Sequence, residues 1–490
     1  MPDPSWTRRV VAIATAVASV ASAPVAARAQ TARGDRLVRN DFDVQIFQGP
    51  IVAPNRIIGL AGANAADPEG VTGDYANAAA PAVRTPWSER WLDYDLTGGV
   101  SFPGAFSRTD FDNRGEAPSG SSSRFGSFFQ LNGGGTLQFG RFGMSATADL
   151  QSFTLDSSVG GLRGVDLRLF RAHVLAAYAL LDHQLVIGGG LRAITLQISE
   201  GFPISRALLT MTGVGPQIGV LVRPNDFPFR VGATFRSPVS GRIVGTDLPE
   251  VSGDFALTVG DYVLPNRVRM PWELEVGGAF QLGPRPLNPR WIDPSTLEAA
   301  VRTAVENDRE ARRVAHERAR AIARAEDRAA LDGTFEREDA AVRVVEDARL
   351  RDERRRVRER LVSRYANWPR ERVLLVASVV ATGGESGAVS VQGFLDQTSE
   401  RYGRNLTLSP RVGIESEPIA HTLRARVGSY FEPSRFEGGV TRQHFTFGGD
   451  IRLFDFDPFD WWGDFTLALT FSLDLAPRFT NWGVGLGAWH

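Results

Sequence analysis

Residues Gly59 to Arg84 read GLAGANAADPEGVTGDYANAAAPAVR. The stretch is rich in Ala and Gly, carries scattered acids, and shows neither a helical nor a strand period. Side chains this small cannot offset the cost of ordering a backbone by themselves. A compact, irregular run of small residues makes sense inside something larger, where side-chain room is scarce. A flexible linker is the alternative, and the residues downstream of Arg84 decide between the two.

Downstream, the chain alternates. From Trp91 to Phe102, Leu92, Tyr94, Leu96, Val100 and Phe102 fall on one face, and Asp93, Asp95 and Thr97 on the other. That two-residue period marks a half-apolar strand. The same pattern returns at 125–139, 144–150, 165–180, 185–198, 211–222, 229–235, 270–280, 373–382, 406–414, 423–430, 445–453, 465–473 and 482–489, giving about fourteen strands. Short and long connections alternate, as they do in a membrane barrel with tight periplasmic turns and free outer loops. Gly133–Gly135 and Gly188–Gly190 lie within strands and read as sites of curvature or close backbone approach. Neither has the Gly-Lys-Ser/Thr ending of a phosphate loop.

The N-terminus carries Arg8 and Arg9, an apolar run from Val10 to Val25, and Ala27-Arg28-Ala29. This is the layout of a secretory signal peptide. The chain has no Cys, net charge is near zero, and every base is Arg. Export, high Gly and aromatic content and repeated alternating segments point to a bacterial outer-membrane barrel, and near-neutral charge gives no argument for nucleic acid.

One segment departs from the pattern. Residues 294–366 are rich in Ala, Glu and Arg. Asp293-Pro294-Ser295-Thr296-Leu297-Glu298 offers an N-cap, a first-turn Pro and a capping box. Asp332-Gly333-Thr334 reads as a stop and restart, so two helices of roughly 30 to 36 residues, about 45 to 55 Å each, are expected as a coiled hairpin.

Little points to catalysis. The six His are scattered, paired His spacing is absent, and Gly384-Glu385-Ser386-Gly387 is one residue too short for a nucleophile elbow. No metal or cofactor is expected, and the chain does not read as an enzyme. By alternation Arg230, Arg236, Arg411, Arg424 and Arg426 face inward, where they either steer an anionic head group or pair with interior acids.

With the plug-like stretch, the strand series and the inward arginines together, the sequence resembles the FadL-like outer-membrane channels for long-chain fatty acids and other hydrophobic compounds. Gly62-Ala63 through Pro81, with Ala65-Ala66-Asp67 and Tyr75-Ala76-Asn77, is similar to the family's N-terminal hatch. Val231 to Val239 is similar to its Gly-x-x-Tyr-Arg-Ser-Pro strand end. Leu264-Pro265, and Arg424 to Tyr430 followed by Pro433, match later strands. Asn77 is followed by Ala78 rather than Pro, the chain ends Trp489-His490, and the helical pair is an insertion on the periplasmic side.

The resemblance implies a monomeric barrel occluded by a hatch, with Gly62, Asp67, Asn77 and Pro81 as plug and gating residues. A hydrophobic small molecule would bind from outside, shift the hatch and leave sideways into outer-membrane lipid. The expected fold is an all-β, about 14-stranded antiparallel transmembrane barrel with an N-terminal plug and an inserted periplasmic α-helical hairpin. Its expected division is 1–29 signal peptide, 30–88 extension and plug, 89–283 strands one to eight, 284–370 hairpin, and 371–490 strands nine to fourteen. The alternative is a barrel that only anchors the arm, with helices 294–366 docking a periplasmic protein.

Overall fold

The computed structural model describes residues 35–46, 49–85, 88, 90–104, 109–115, 126–155, 165–200, 207–244, 258–259, 262–400, 402–437, 439–456 and 465–489. The expected signal peptide at 1–29 lies outside the described residues.

The wall begins with β1 (Leu92–Pro103), β2 (Gly126–Phe139), β3 (Phe142–Leu155), β4 (Val165–Leu180) and β5 (Leu185–Glu200). It continues with β6 (Ala207–Val222), β7 (Phe229–Arg236), β8 (Glu273–Leu282), β9 (Val373–Thr382) and β10 (Thr407–Ile419). It ends with β11 (Leu423–Glu432), β12 (Arg442–Phe456), β13 (Phe465–Ala476) and β14 (Phe479–Ala488). Neighbours pair antiparallel in chain order. β14 then pairs with β1, from Thr97 opposite Gly487 to Pro103 opposite Asn481. The result is a closed barrel of 14 strands.

Closure removes every free edge, which a membrane-crossing sheet requires. The outward faces are apolar: Val174, Val214 and Ile218 are 62%, 57% and 60% exposed, and Phe170, Ile187 and Val231 are exposed with them. A soluble monomer does not present a band of this kind, whereas an outer-membrane barrel does. β2–β3, β4–β5, β6–β7 and β10–β11 turn within a few residues at one end, which is therefore the periplasmic end.

The strand expected at 270–280 starts later, at Glu273. Pro271 has no N–H to give a ladder, so the chain breaks there and Arg267–Met270 pairs elsewhere.

The first compact unit comprises residues 1–83, 94–289 and 370–490. Within it the N-terminal segment forms two single-turn helices, α1 (Asn55–Gly59) and α2 (Gly70–Asp74), and a 3₁₀ turn at Ala80–Ala82. Nearly all of its side chains are buried.

The second unit joins residues 84–93 to 290–369. Its helices are α3 (Pro294–Ile322) and α4 (Arg328–Ala366). Asp293 caps α3, its carboxylate accepting from Ser295 N at 2.9 Å. The reversal falls at 323–327, not at Gly333 as the sequence reading expected. Gly333 costs only about 1 kcal/mol inside a helix. The cross-helix pairs Arg320–Asp332 (3.2 Å), Arg309–Glu346 (2.7 Å) and Arg354–Glu298 (3.5 Å) centre the turn near Glu326. Charge register outweighs the glycine. Val357, Leu361 and Tyr365 form a small apolar base with Ile292, Leu297 and Trp368.

At the outer end, the loop after β1 is tied to the loops after β9 and β11. Arg114 pairs with Glu400 at 2.9 Å, and Asn113 Nδ2 donates to the Glu432 carbonyl at 3.1 Å. Burial, then Asp110 and Glu432, push the half-buried Asp112 carboxyl up to about 7 from an ordinary 3.8. A carboxyl whose folded pKa is raised favours the fold below its unfolded value, and that contribution is lost as pH rises through the folded one. Asp112→Asn should therefore leave thermal stability unchanged at pH 4 and raise it at pH 8. A melting curve at each pH checks this, and a variant less stable than wild type at pH 8 contradicts it.

Candidate functional site

The lumen is built in three tiers, set by which inward-facing residue occupies each level of each strand. At the outer end the inward positions are apolar. β4 supplies Val165, Leu167 and Leu169; β5 supplies Ile194, Leu196 and Ile198; β6 supplies Leu209 and Met211. Phe128, Phe153 and Phe479 join them, with Phe42, Val44, Ile46 and Val52 from the N-terminal segment.

The N-terminal strand Asp43–Gln45 pairs in parallel with Arg267–Met270 on one side and with Ala388–Ser390 on the other. These two segments precede β8 and follow β9. Over their full length β8 and β9 pair with each other, from Glu273 opposite Thr382 to Leu282 opposite Val373. Beyond that level the three-residue N-terminal strand fills the seam between their extensions. Val44, Val268 and Val389 turn to the apolar tier. Arg269 pairs with Asp43 at 3.0 Å on the opposite, polar face.

The middle tier is charged and lines a cavity of about 150 Å³. Its apolar side is Ile51, Val52, Ile57, Ile194, Met270 and Val380. Its polar side holds Arg171, Arg192, Arg236, Arg411, Asp149, Glu273 and Glu275. Three of these arginines hold the plug by its backbone. Arg171 donates to the Val52 carbonyl at 3.1 Å while paired with Asp149 at 2.8 Å. Arg236 donates to the Tyr75 and Ala76 carbonyls at 2.8 and 2.7 Å, and Arg411 to that of Gly62 at 3.3 Å. A second latch lies on β11–β13. His444 bridges Asp474 (2.9 Å) and Glu432 (2.7 Å), Tyr430 donates to Asp474 at 2.7 Å, and Ile51 N donates to the Tyr430 hydroxyl at 3.2 Å.

The inner tier is the plug seat. Arg230 donates to Asp67 Oδ1, to Asn288 Oδ1 and to the Leu287 carbonyl at 2.7, 2.7 and 2.8 Å, and pairs with Glu69 at 2.7 Å. The other oxygen of Asp67 accepts from Arg56 of α1 at 2.6 Å. Arg56 lies 3.7 Å from Glu415, which accepts from Arg426 at 2.7 Å. Arg426 also donates to Asp450 at 2.7 Å. Charges of alternating sign thus run from β7 through the plug to β12. Arg424 lies beside this chain, 3.9 Å from Glu417 and 4.3 Å above the Trp489 ring.

All five arginines singled out from the sequence face the lumen, and the structure brings each to an acid or to the plug. Asn77 Nδ2 donates to the Ala65 and Val220 carbonyls at 2.8 and 3.1 Å, and its Oδ1 accepts from Ala79 N at 3.0 Å. The Pro81 carbonyl accepts from Gln138 at 3.0 Å. Gly62 has φ +72°. Sequence reasoning missed Arg56, Glu415, Asp450, Arg171 and Arg192. Glu415 lies four residues past Arg411 on the same face, so extending the strand read at 406–414 by one residue would have found it.

Glycines make room for the plug. A Cβ at Gly143, Gly188 or Gly232 would stand 1.9, 2.0 and 2.0 Å from the carbonyl oxygens of Pro81, Ala78 and Ala65. At Gly219 it would stand 2.0 Å from Asn77 Oδ1. Gly188 is opposite Gly219 and Gly232 opposite Gly277, so the clearances lie side by side as a belt.

No family profile matches the sequence, and no curated protein does either. Among solved structures, a FadL homologue of Pseudomonas aeruginosa is 10% identical, covers 93% of this chain and 99% of its own, and superposes with a TM-score of 0.46. The CymD monoaromatic hydrocarbon channel is 10% identical over 90% of this chain and 98% of its own, at 0.44. The TodX monoaromatic hydrocarbon channel, as a deltaS2 mutant, is 11% identical over 86% and 95%, at 0.42. At such scores these likenesses add nothing to the closed strand register on which the barrel rests.

A branched side chain in the belt should unseat the plug. Gly219→Val or Gly232→Val should cost about 1–3 kcal/mol of overpacking and raise single-channel conductance in planar bilayers. Gly278→Val, where the nearest atom to a new Cβ is 3.8 Å away, should stay closed. Belt variants as tight as Gly278→Val would show that the belt does not hold the plug.

Proposed function

We propose that this chain is a passive outer-membrane channel for hydrophobic compounds, long-chain fatty acids among them, closed at rest by its N-terminal plug. The observation that carries the reading is the apolar outer tier, a packed cluster of Leu, Ile, Val, Met and Phe inside a membrane barrel. Burial there is worth about 25 cal/mol per Å² of apolar surface, so uptake down a gradient needs no other energy source. The arginines of the middle tier suit an amphiphile with a carboxylate end. The charged seat below opposes an apolar solute, because its passage would leave buried charges against apolar surface without their partners. The route therefore turns sideways, and the seam held by Asp43–Gln45 is the candidate door.

The absence of cysteine makes a lock clean. With Asp43→Cys and Ala388→Cys, which are cross-strand partners, reduced cells should take up a hydrophobic fluorophore faster than cells lacking the chain. Oxidation should lower that uptake about tenfold, the order of effect expected when about 1.4 kcal/mol is added to a barrier, and reductant should restore it. No uptake in the reduced state sinks the channel, while equal uptake in both states sinks only the door.

A second reading has one observation in its favour. The hairpin belongs to a compact unit of its own, as expected if the barrel anchors an arm that binds a periplasmic protein. Deleting residues 294–366 separates the two. The channel reading expects the deletion to keep uptake above that of cells lacking the chain, and the anchor reading expects no such uptake with or without the hairpin, and loss of a co-purified partner on deletion.

A further inference from the structure

We propose that a trench on the outer wall of the barrel, running across β7 to β12, is a binding site for the acyl chain of an outer-membrane lipid. The site does not depend on what passes through the lumen. The two-residue period sends alternate side chains of each strand outward, and the register sets them in rows across the sheet. One row is Val231, Gly278, Ala377, Val412, Ser429 and Phe445, each opposite the next. It is low in the middle, since Gly278 and Ala377 bring almost no side chain. A Cβ added at Gly278 would meet its nearest neighbouring atom only at 3.8 Å. The next row toward the periplasm is tall, with Phe229, Phe280, Leu375 and Phe447. Pro410 and Phe431 stand on the other side. These residues line a concavity of about 1040 Å³, at the upper end of the roughly 300–1,000 Å³ of small-molecule pockets.

The trench has a cause on the inner side of the same strands. There the wall sits directly on the plug, and its inward positions are glycines. A Cβ would stand 2.8 Å from the Leu60 carbonyl oxygen at Gly413, 2.8 Å from Ala61 Cβ at Gly428 and 3.0 Å from Gly59 Cα at Gly448. Gly413 is opposite Gly428, so these clearances are neighbours. With small residues on both faces, the wall here is little more than one backbone thick.

The surroundings select the occupant. Gly278, Ala377 and Val412 lie near the midpoints of β8, β9 and β10, at the depth of the hydrocarbon core. No water fills a concavity there, and an empty one forfeits the dispersion contacts of its lining. The outward polar side chains are already engaged: Ser429 Oγ donates to the His444 carbonyl at 2.8 Å and accepts from Gln443 Nε2 at 3.3 Å. Nothing in the trench calls for a polar group. Its flanking rows are four residues apart along a strand, about 13 Å between backbones. Their side chains narrow that below the 10–12 Å diameter of a helix, and the wall of a second barrel is broader still. An extended acyl chain meets both limits. The trench crosses five strand spacings, about 24 Å, and a chain reaches through half of a core about 30 Å thick.

The test places the full chain in nanodiscs of phosphatidylcholine bearing a photoactivatable diazirine on one acyl chain, and maps the labelled residues by mass spectrometry. Labelling at Ala377, Val412 and Val427 should exceed that at Val174, Val214 and Ile218 on the opposite wall about tenfold. Such a preference corresponds to about 1.4 kcal/mol, the dispersion energy of roughly ten extra close atom pairs. Gly278→Leu with Ala377→Leu fills the floor and should abolish the enrichment at Val412 and Val427, with β-sheet content and labelling of the opposite wall unchanged. Equal labelling of the two walls in the wild-type chain overturns the proposal, whether or not the leucine variant assembles. An assembled leucine variant that keeps the enrichment also overturns it. Loss of the enrichment on adding oleate at a small fraction of the lipid overturns it in favour of a free solute. Trenches left unlabelled only in discs that hold two copies overturn it in favour of a second barrel.

Discussion

The plug is held by charge, and Asp67 is where that charge crosses from wall to plug. One of its oxygens takes Arg230 of β7 and the other takes Arg56 of α1. Through Arg56 the chain of opposite charges reaches Glu415, Arg426 and Asp450 on the far wall. Losing one partner of a buried pair typically costs about 3–5 kcal/mol, because the other charge is left without a counterpart. A hydrophobic contact of similar area would hold as well but would not specify position. Directional pairs do, and they fix the plug at one height and one rotation in the lumen.

Position in turn dictates composition. A segment threaded through a barrel of this size approaches the wall backbone to backbone, so the wall gives up side chains where the plug passes. The belt at Gly143, Gly188, Gly219 and Gly232 faces Pro81, Ala78, Asn77 and Ala65. The plug answers with Ala and Gly of its own. The low-complexity character of residues 59–84 is thus one half of a steric fit whose other half is scattered over strands far apart in sequence. Above the seat the constraint lifts, and Leu, Ile, Met and Phe return to the inward faces.

The barrel was legible in the sequence because the two-residue period survives in every wall strand, including the short β7 and β14. The inward arginines were legible for the same reason. Their roles were not, since pairing depends on which acid the register sets opposite. Arg230 meets Asp67 across more than one hundred and sixty residues, a contact no local pattern encodes. The Asp43–Gln45 strand escaped notice because three residues carry no period, and its partners lie in loops. At the hairpin, Gly333 misled because a local helix penalty was weighed against no competing term, while the competing term was electrostatic register between two helices.

That register has a simple origin. Each helix of the hairpin is richer in acids in its first half and in Arg in its second, with Arg320 and Arg364 in the last turns, where the helix dipole favours them. Two helices built this way and folded antiparallel present opposite charges to each other along their length, so one preference serves both the helix and the pair. The match is incomplete toward the base, where residues 349–358 of α4 carry six Arg and two acids opposite Arg302 and Glu298, and where α4 outgrows α3, 39 residues against 29. The extra turns fall at the basal end, since the pairs Arg320–Asp332 and Arg354–Glu298 hold the two helices in step from the reversal downward. Arg360 and Arg364 therefore lie in α4 beyond the level at which α3 begins. The run of arginines from Arg349 to Arg364, more than the difference in helix length, leaves the hairpin with a charged end.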